Sequence, residues 1–153
     1  MSKNLRVLSL VLILVFLTVV AGCGGSPAAP AAQQAKAKIT IAMVNPLTGD
    51  AAAYGVSHRK GLEMALEEIN KAGGINGDTV ELLVRDSAGS SEKAVSFAKQ
   101  LIEEDKVVAI IGPSTSGESM AVKKIAEDGK TLLISCAAAE VIVDPVAAHV
   151  FKT

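Results

Sequence analysis

The chain has 153 residues, with 15 basic and 16 acidic side chains, and half of its residues are hydrophobic. That length holds one domain with a real core and little more. Three phenylalanines, one tyrosine, no tryptophan and no excess of positive charge exclude a basic, aromatic-bearing face for nucleic acid. Two cysteines are too few for a disulfide framework or a cysteine-only metal site.

Lys3 and Arg6 precede an apolar run over residues 7–20, which ends in the small residues Ala21, Gly22 and Cys23. A basic start, an apolar middle and a small-residue cleavage site together read as a secretory signal over residues 1–22. The run is shorter than the roughly 20 apolar residues that a membrane span needs. "VAGC" resembles a bacterial lipobox, which implies cleavage before Cys23 and lipid on its sulfur and new amino terminus. The alternative is an uncleaved anchor helix with an incidental cysteine. Each buried methylene of an acyl chain contributes about 0.8 kcal/mol, so two chains tether a protein firmly. Residues 23–37, small and proline-containing without pattern, read as a flexible linker between lipid and domain.

Beyond the linker, strand and helix signals alternate over residues 38–153. Lys38–Asn45 is an apolar, β-rich run closed by Pro46 and Gly49. Over residues 53–72, Leu62, Ala65, Leu66 and Ile69 recur at helical spacing, which predicts an amphipathic helix stopped by Gly73 and Gly74. Thr79–Asp86 is the second strand. Ser90 and Ser91 open a second helix reaching about residue 105, with Ala94, Ala98, Leu101 and Ile102 on one face. Residues 107–111 are wholly apolar, as a strand covered on both faces should be. A third helix is predicted over residues 117–128, with Ser116 as its N-cap, and residues 131–135 form another buried strand. This alternation implies an α/β fold, a parallel sheet flanked by helices. Ligands of such sheets sit beyond the carboxyl ends of the strands. Three segments meet there: "NPLTGDAAAYG", "GPSTSGES" and "SCAAAE".

The middle segment is ambiguous taken alone. Gly112, Gly117 and Ser119 fit a phosphate-binding loop, but Glu118 stands where that loop needs lysine. It also nearly forms a nucleophile elbow, with Ser114 in the nucleophile's place and Ser116 instead of the last glycine. The free amides of a helix start favour an anion. Glu118 would repel a nucleotide's phosphates by several kcal/mol, so a single small carboxylate is the better guest. The bland reading is that Ser116 merely caps its own helix.

"ITIAMVNPLTGDAAAYG", "GLEMALEEINKAGGINGDTVELLVRDSA", "VVAIIGPSTSG" and "LLIS" resemble the start of a bacterial branched-chain amino-acid-binding protein, a type I periplasmic receptor of an ABC importer. The resemblance runs over essentially all of residues 39–153, and "NKAGGING" is its most distinctive piece. It implies two α/β lobes closing on an amino acid or related small carboxylate or amide, with an ABC permease as partner and no cofactor. It makes Ser116 the serine for the ligand's α-carboxylate, and places Ser114 near the ligand's side chain. Tyr54 matches the tyrosine of the first loop, and Ala137 offers a backbone carbonyl to the ligand's ammonium. Ala139 stands where the family has a threonine, so the hydroxyl that normally helps hold the amino-acid head group is missing. Gly89 and Thr115 replace the cysteines of an occasional family disulfide. The family's chains are more than twice as long, so this sequence is expected to carry the first lobe without its partner.

Two rival functions use the same residues. Ser114, Asp144 and His149 follow the chain order of an α/β-hydrolase triad, although Asp144 and His149 share one connection. A ligand-sensing ectodomain would use the same fold to signal. His58, beside Arg59 and Lys60, reads as part of a solvated face. Cys136 reads as a small buried residue where the family has proline.

Overall fold

The computed structural model describes residues 37–153. Residues 1–36, with the signal, most of the linker and Cys23, lie outside the described residues. The element order is β1 (Lys38–Asn45), α1 (Ala52–Lys71), β2 (Thr79–Asp86), α2 (Ser91–Glu103), β3 (Ala109–Ile111), α3 (Ser116–Asp128), β4 (Leu132–Ser135), a 3-10 turn (Glu140–Ile142) and β5 (Val150–Lys152). The strands pair in parallel in the order β2-β1-β3-β4-β5. Moving from β1 to β2 and from β2 to β3 steps in opposite directions along the sheet. Right-handed crossovers then place α1 on one face and α2 with α3 on the other.

The α2/α3 face is the packed one. Ser90 caps α2 by accepting from the Lys93 amide at 3.3 Å. Ala94, Ala98 and Leu101 of α2, with Val122 and Ala126 of α3, bury against Ala42, Val44, Ile110 and Leu133 of the sheet. The alanines let both helices approach closely. A Cβ on Gly129 would lie 2.7 Å from a methyl of Ile102.

On the other face, the apolar stripe of α1 is less covered than its spacing predicts. Only Leu66 of the four predicted positions is buried, and Ile69 remains 37% exposed. The helix packs chiefly on the edge strand β2, so part of its stripe has no sheet beneath it. The "NKAGGING" segment has a definite mechanical role. Asn70 donates to the Val80 carbonyl and accepts from the Val80 amide, both at 2.8 Å, so its side chain serves β2 as a strand neighbour. Gly74, at φ +81°, turns so tightly that a Cβ would lie 1.9 Å from the Asp78 carbonyl oxygen.

Three boundaries differ from the sequence reading. Val107 hands its amide to Leu101 at the end of α2, and Val108 bonds the Thr40 carbonyl, so β3 proper begins at Ala109. Helix α3 begins at Ser116, with Thr115 in the cap position. Residues 150–152, read without structure, form β5 and pair Leu133 with Val150 and Ser135 with Lys152.

Candidate functional site

The first loop, from Pro46 to Ala51, is held from the end of β2. The Asp86 carboxylate accepts from the Leu47 amide at 2.7 Å, the Thr48 amide at 3.3 Å, the Thr48 hydroxyl at 2.7 Å and the Ala88 amide at 2.9 Å. Burial pushes this carboxyl's pKa up, but the four donors outweigh it and hold it below the ordinary aspartate value. The start of α1 is pressed onto the same loop, for a Cβ on Gly55 would fall 2.0 Å from the Pro46 carbonyl oxygen. Tyr54, one residue before, is 65% exposed.

The second loop, between β3 and α3, is pinned to β1. Gly112, at φ +95°, lies so close that a Cβ would come within 2.5 Å of the Val44 carbonyl oxygen. Next to it, Ser114 donates to the buried Asn45 amide oxygen at 2.5 Å, and the His58 ring Nδ1 lies 2.9 Å from the same hydroxyl. A hydroxyl has one proton, and Ser114 gives it to Asn45, so His58 donates here. His58 is therefore half-buried and structural, and the solvated-face reading is corrected.

The third loop, after β4, leans on the second. The Cys136 amide bonds the Pro113 carbonyl at 3.1 Å. Ser119 joins Pro113 and Ser135, and Ser135 accepts from the Ala137 amide at 3.2 Å. Ser116 does not cap its own helix. Its Oγ accepts from the Ala139 amide at 3.3 Å, which leaves the hydroxyl proton free for another acceptor. Lys152, at the end of β5, donates to the Ala138 carbonyl at 2.9 Å. The Ala139 carbonyl serves the 3-10 turn through the Ile142 amide, so both backbone groups of Ala139 are engaged within the chain. Among the described residues no group donates to the Ala137 carbonyl, and no acceptor meets the Ser116, Gly117 and Glu118 amides.

Ser116, Ala137 and Ala139 thus come together at the carboxyl edge of the sheet. Ser114 sits on the side facing β1, and Tyr54 projects from the neighbouring helix start. What they form is a shelf with one free hydroxyl proton and three free amides, beside an Ala137 carbonyl that no donor among the described residues meets but whose residue is only 2% exposed. The donors of that set suit a carboxylate. The grooves of about 570 Å³ between α1 and β2, and about 260 Å³ between α2 and α3, lie elsewhere.

The hydrolase triad is not assembled. His149 precedes β5, at the amino end of the parallel sheet, and bonds Glu127 through its amide at 2.9 Å and its ring at 3.3 Å. Ser114 follows the carboxyl end of β3. Cys136 is a free, half-buried thiol whose pKa burial pushes up, which makes it a poor nucleophile. Sequence reasoning missed Asp86 and Lys152, which brace the first and third loops. An aspartate at a strand end before a serine-rich helix start was the available signal for Asp86. Nothing in the sequence pointed from Lys152 to Ala138.

Residues 38–153 match the profile of the periplasmic binding protein family. The chain belongs to that family. It is 39% identical over 104 residues to the Leu/Ile/Val-binding protein homolog 3 of Brucella melitensis, covering 68% of this chain and 28% of that protein. It is 38% identical over 97 residues to a leucine-, isoleucine-, valine-, threonine- and alanine-binding protein of Pseudomonas aeruginosa, covering 63% and 26%. Its fold superposes with TM-score 0.72 and 33% identity on the branched-chain amino acid transporter substrate binding protein LivJ of Streptococcus pneumoniae, solved with isoleucine, over 75% of this chain and 33% of that one. The chain therefore spans between a quarter and a third of the length of these periplasmic binding protein relatives.

Proposed function

We propose that this chain supplies the first lobe of an extracytoplasmic, lipid-anchored receptor that delivers an amino acid to an ABC permease. The observation that carries this reading is the shelf at the carboxyl edge, with the free Ser116 hydroxyl proton, the three amides of the α3 start and the free Ala137 carbonyl. A zwitterionic head group suits it best through its carboxylate. Its carboxylate takes the amides and the Ser116 hydroxyl, and its ammonium meets the Ala137 carbonyl. Ala139 shapes the shelf through its bond to Ser116, while Ser114 and Tyr54 border the ligand's side chain. Residues 1–22 direct export, Cys23 carries lipid, residues 23–37 span the gap to the domain, and no catalytic step is involved.

Two findings support amino acids as the ligand class. The Brucella and Pseudomonas relatives are named for binding leucine, isoleucine and valine, and the Streptococcus protein was solved with isoleucine. The test is a nitrogen-15 NMR titration with L-leucine, a method that tolerates millimolar affinity. Shifts should concentrate on the amides of residues 116–118 and 137–139 and vanish in Ser116→Ala. Shifts centred on His149, or persisting unchanged in Ser116→Ala, would reject the site.

A further inference from the structure

Glu118 is the one acidic side chain of the shelf, and no cation among the described residues balances it. Its side chain is 1% exposed and lies in the first turn of α3. One carboxylate oxygen accepts from the Thr115 hydroxyl, which folds the group back over the amino end of the helix. The other oxygen is buried without a hydrogen-bond partner, and among the described residues no lysine, arginine or histidine forms an ion pair with it. A buried carboxylate in that condition is costly to keep. Yet it sits in the same turn whose amides are offered to a ligand.

Two fields therefore overlap at the shelf. The helix start attracts a negative group, and Glu118 opposes it from inside the protein, where salt screens weakly. A plain carboxylate feels the opposition in full. A zwitterion brings an ammonium on the next carbon, and the field that repels its carboxylate attracts that ammonium. Ala139 has no hydroxyl to offer the ammonium, its carbonyl is engaged by Ile142, and Ala137, whose carbonyl is free, is only 2% exposed, so contacts alone discriminate weakly.

We propose that Glu118 is a specificity-determining residue that makes the shelf favour zwitterionic amino acids over plain carboxylates of the same shape. It acts through its charge. The inference rests on the ligand site proposed above and names how that site chooses among carboxylates.

The test uses the whole 153-residue chain, nitrogen-15 labelled and purified in detergent, with L-leucine and its deaminated counterpart 4-methylpentanoate as probes. Shifts of the Ser116, Gly117 and Ala139 amides give both affinities. The wild type should prefer leucine by about tenfold. In Glu118→Gln, which keeps the shape, 4-methylpentanoate should bind about tenfold tighter and leucine less than about threefold tighter, so the preference collapses. Glu118→Met should reproduce the collapse by a second route. Glu92→Gln, which removes an exposed acid from the first turn of α2, should leave the preference intact. An unchanged preference in both Glu118 variants, or equal changes for both probes, overturns the proposal and leaves the site standing. Leucine that fails to shift the α3 amides of the wild type overturns the site and this inference with it.

Discussion

Asp86→Ala is the substitution from which the structure predicts most. It leaves four donors behind: the Leu47, Thr48 and Ala88 amides and the Thr48 hydroxyl. Hydrogen bonds to a charged acceptor contribute about 1.5–3 kcal/mol each when buried, and neutral ones about 1. The two Thr48 donors are exposed and can turn to water, so they add little. The Leu47 and Ala88 amides are partly buried and cannot turn as freely. A loss of about 2–3 kcal/mol follows, read as a lower urea midpoint at neutral pH with an unchanged slope. The carboxyl's folded pKa lies below its unfolded value, so its stabilisation is complete above the unfolded value. It fades as pH falls through the folded one. Wild type and Asp86→Ala should therefore converge in stability on acidification below the ordinary aspartate range. A loss under about 0.5 kcal/mol, or a gap that does not narrow in acid, would refute the claim that this carboxylate organises the first loop.

Gly55→Ala should cost about 2 kcal/mol or more, because its methyl would lie 2.0 Å from the backbone carbonyl oxygen of Pro46; thermal melting checks it. Asn70→Ala should cost about 1–2 kcal/mol by stranding both polar groups of Val80, visible as faster hydrogen exchange at the Val80 amide. Mass spectrometry of exported protein should find Cys23 acylated and amino-terminal; an intact Met1 terminus or a bare Cys23 refutes the anchor. Calorimetric titration of the purified chain with leucine, isoleucine and valine should show millimolar affinity at best, and micromolar binding by a monomer would show that the site is more complete than the shelf.

The packed face of the sheet was legible because its signals were local and redundant. Ala94, Ala98 and Leu101 fall at helical spacing, Ser90 caps where serine should, and the strand at residues 109–111 is apolar throughout. Strand β5 was not legible. Three residues after a proline-containing connection carry too little pattern to declare themselves, and only pairing with β4 makes them a strand. The uncovered stripe of α1 was half legible, since spacing reveals an apolar face but not how much sheet lies beneath it. For the site, the helix start was readable from Gly112 to Gly117, one residue out of register. The role of Ser116 was not, because its partner, the Ala139 amide, is 23 residues away and its geometry comes from β3–β4 pairing. His58 misled for the same reason. Its flanking Arg59 and Lys60 suggest solvent, while its partner Ser114 lies 56 residues away in another loop.

The modest affinity expected of this chain follows from the shape of the shelf. A head group resting there keeps one side in water, and each wet hydrogen bond contributes about 1 kcal/mol. Against four or five such contacts stands an association cost of at least about 4 kcal/mol, and millimolar binding corresponds to a balance of about −4. Only the more charged contacts, at the Ser116 hydroxyl and the α3 amides, keep the sum favourable. Covering the ligand from the other side would remove water and raise the effective strength of every charged contact together. Under the proposed function, the shelf would recognise a head group rather than retain it. Its bracing fits that role: Asp86 fixes the first loop, Asn45 the second, and Ser116 with Lys152 the third. Each fixed donor lowers the ordering cost of binding, which is the part of the affinity that a single lobe can supply by itself.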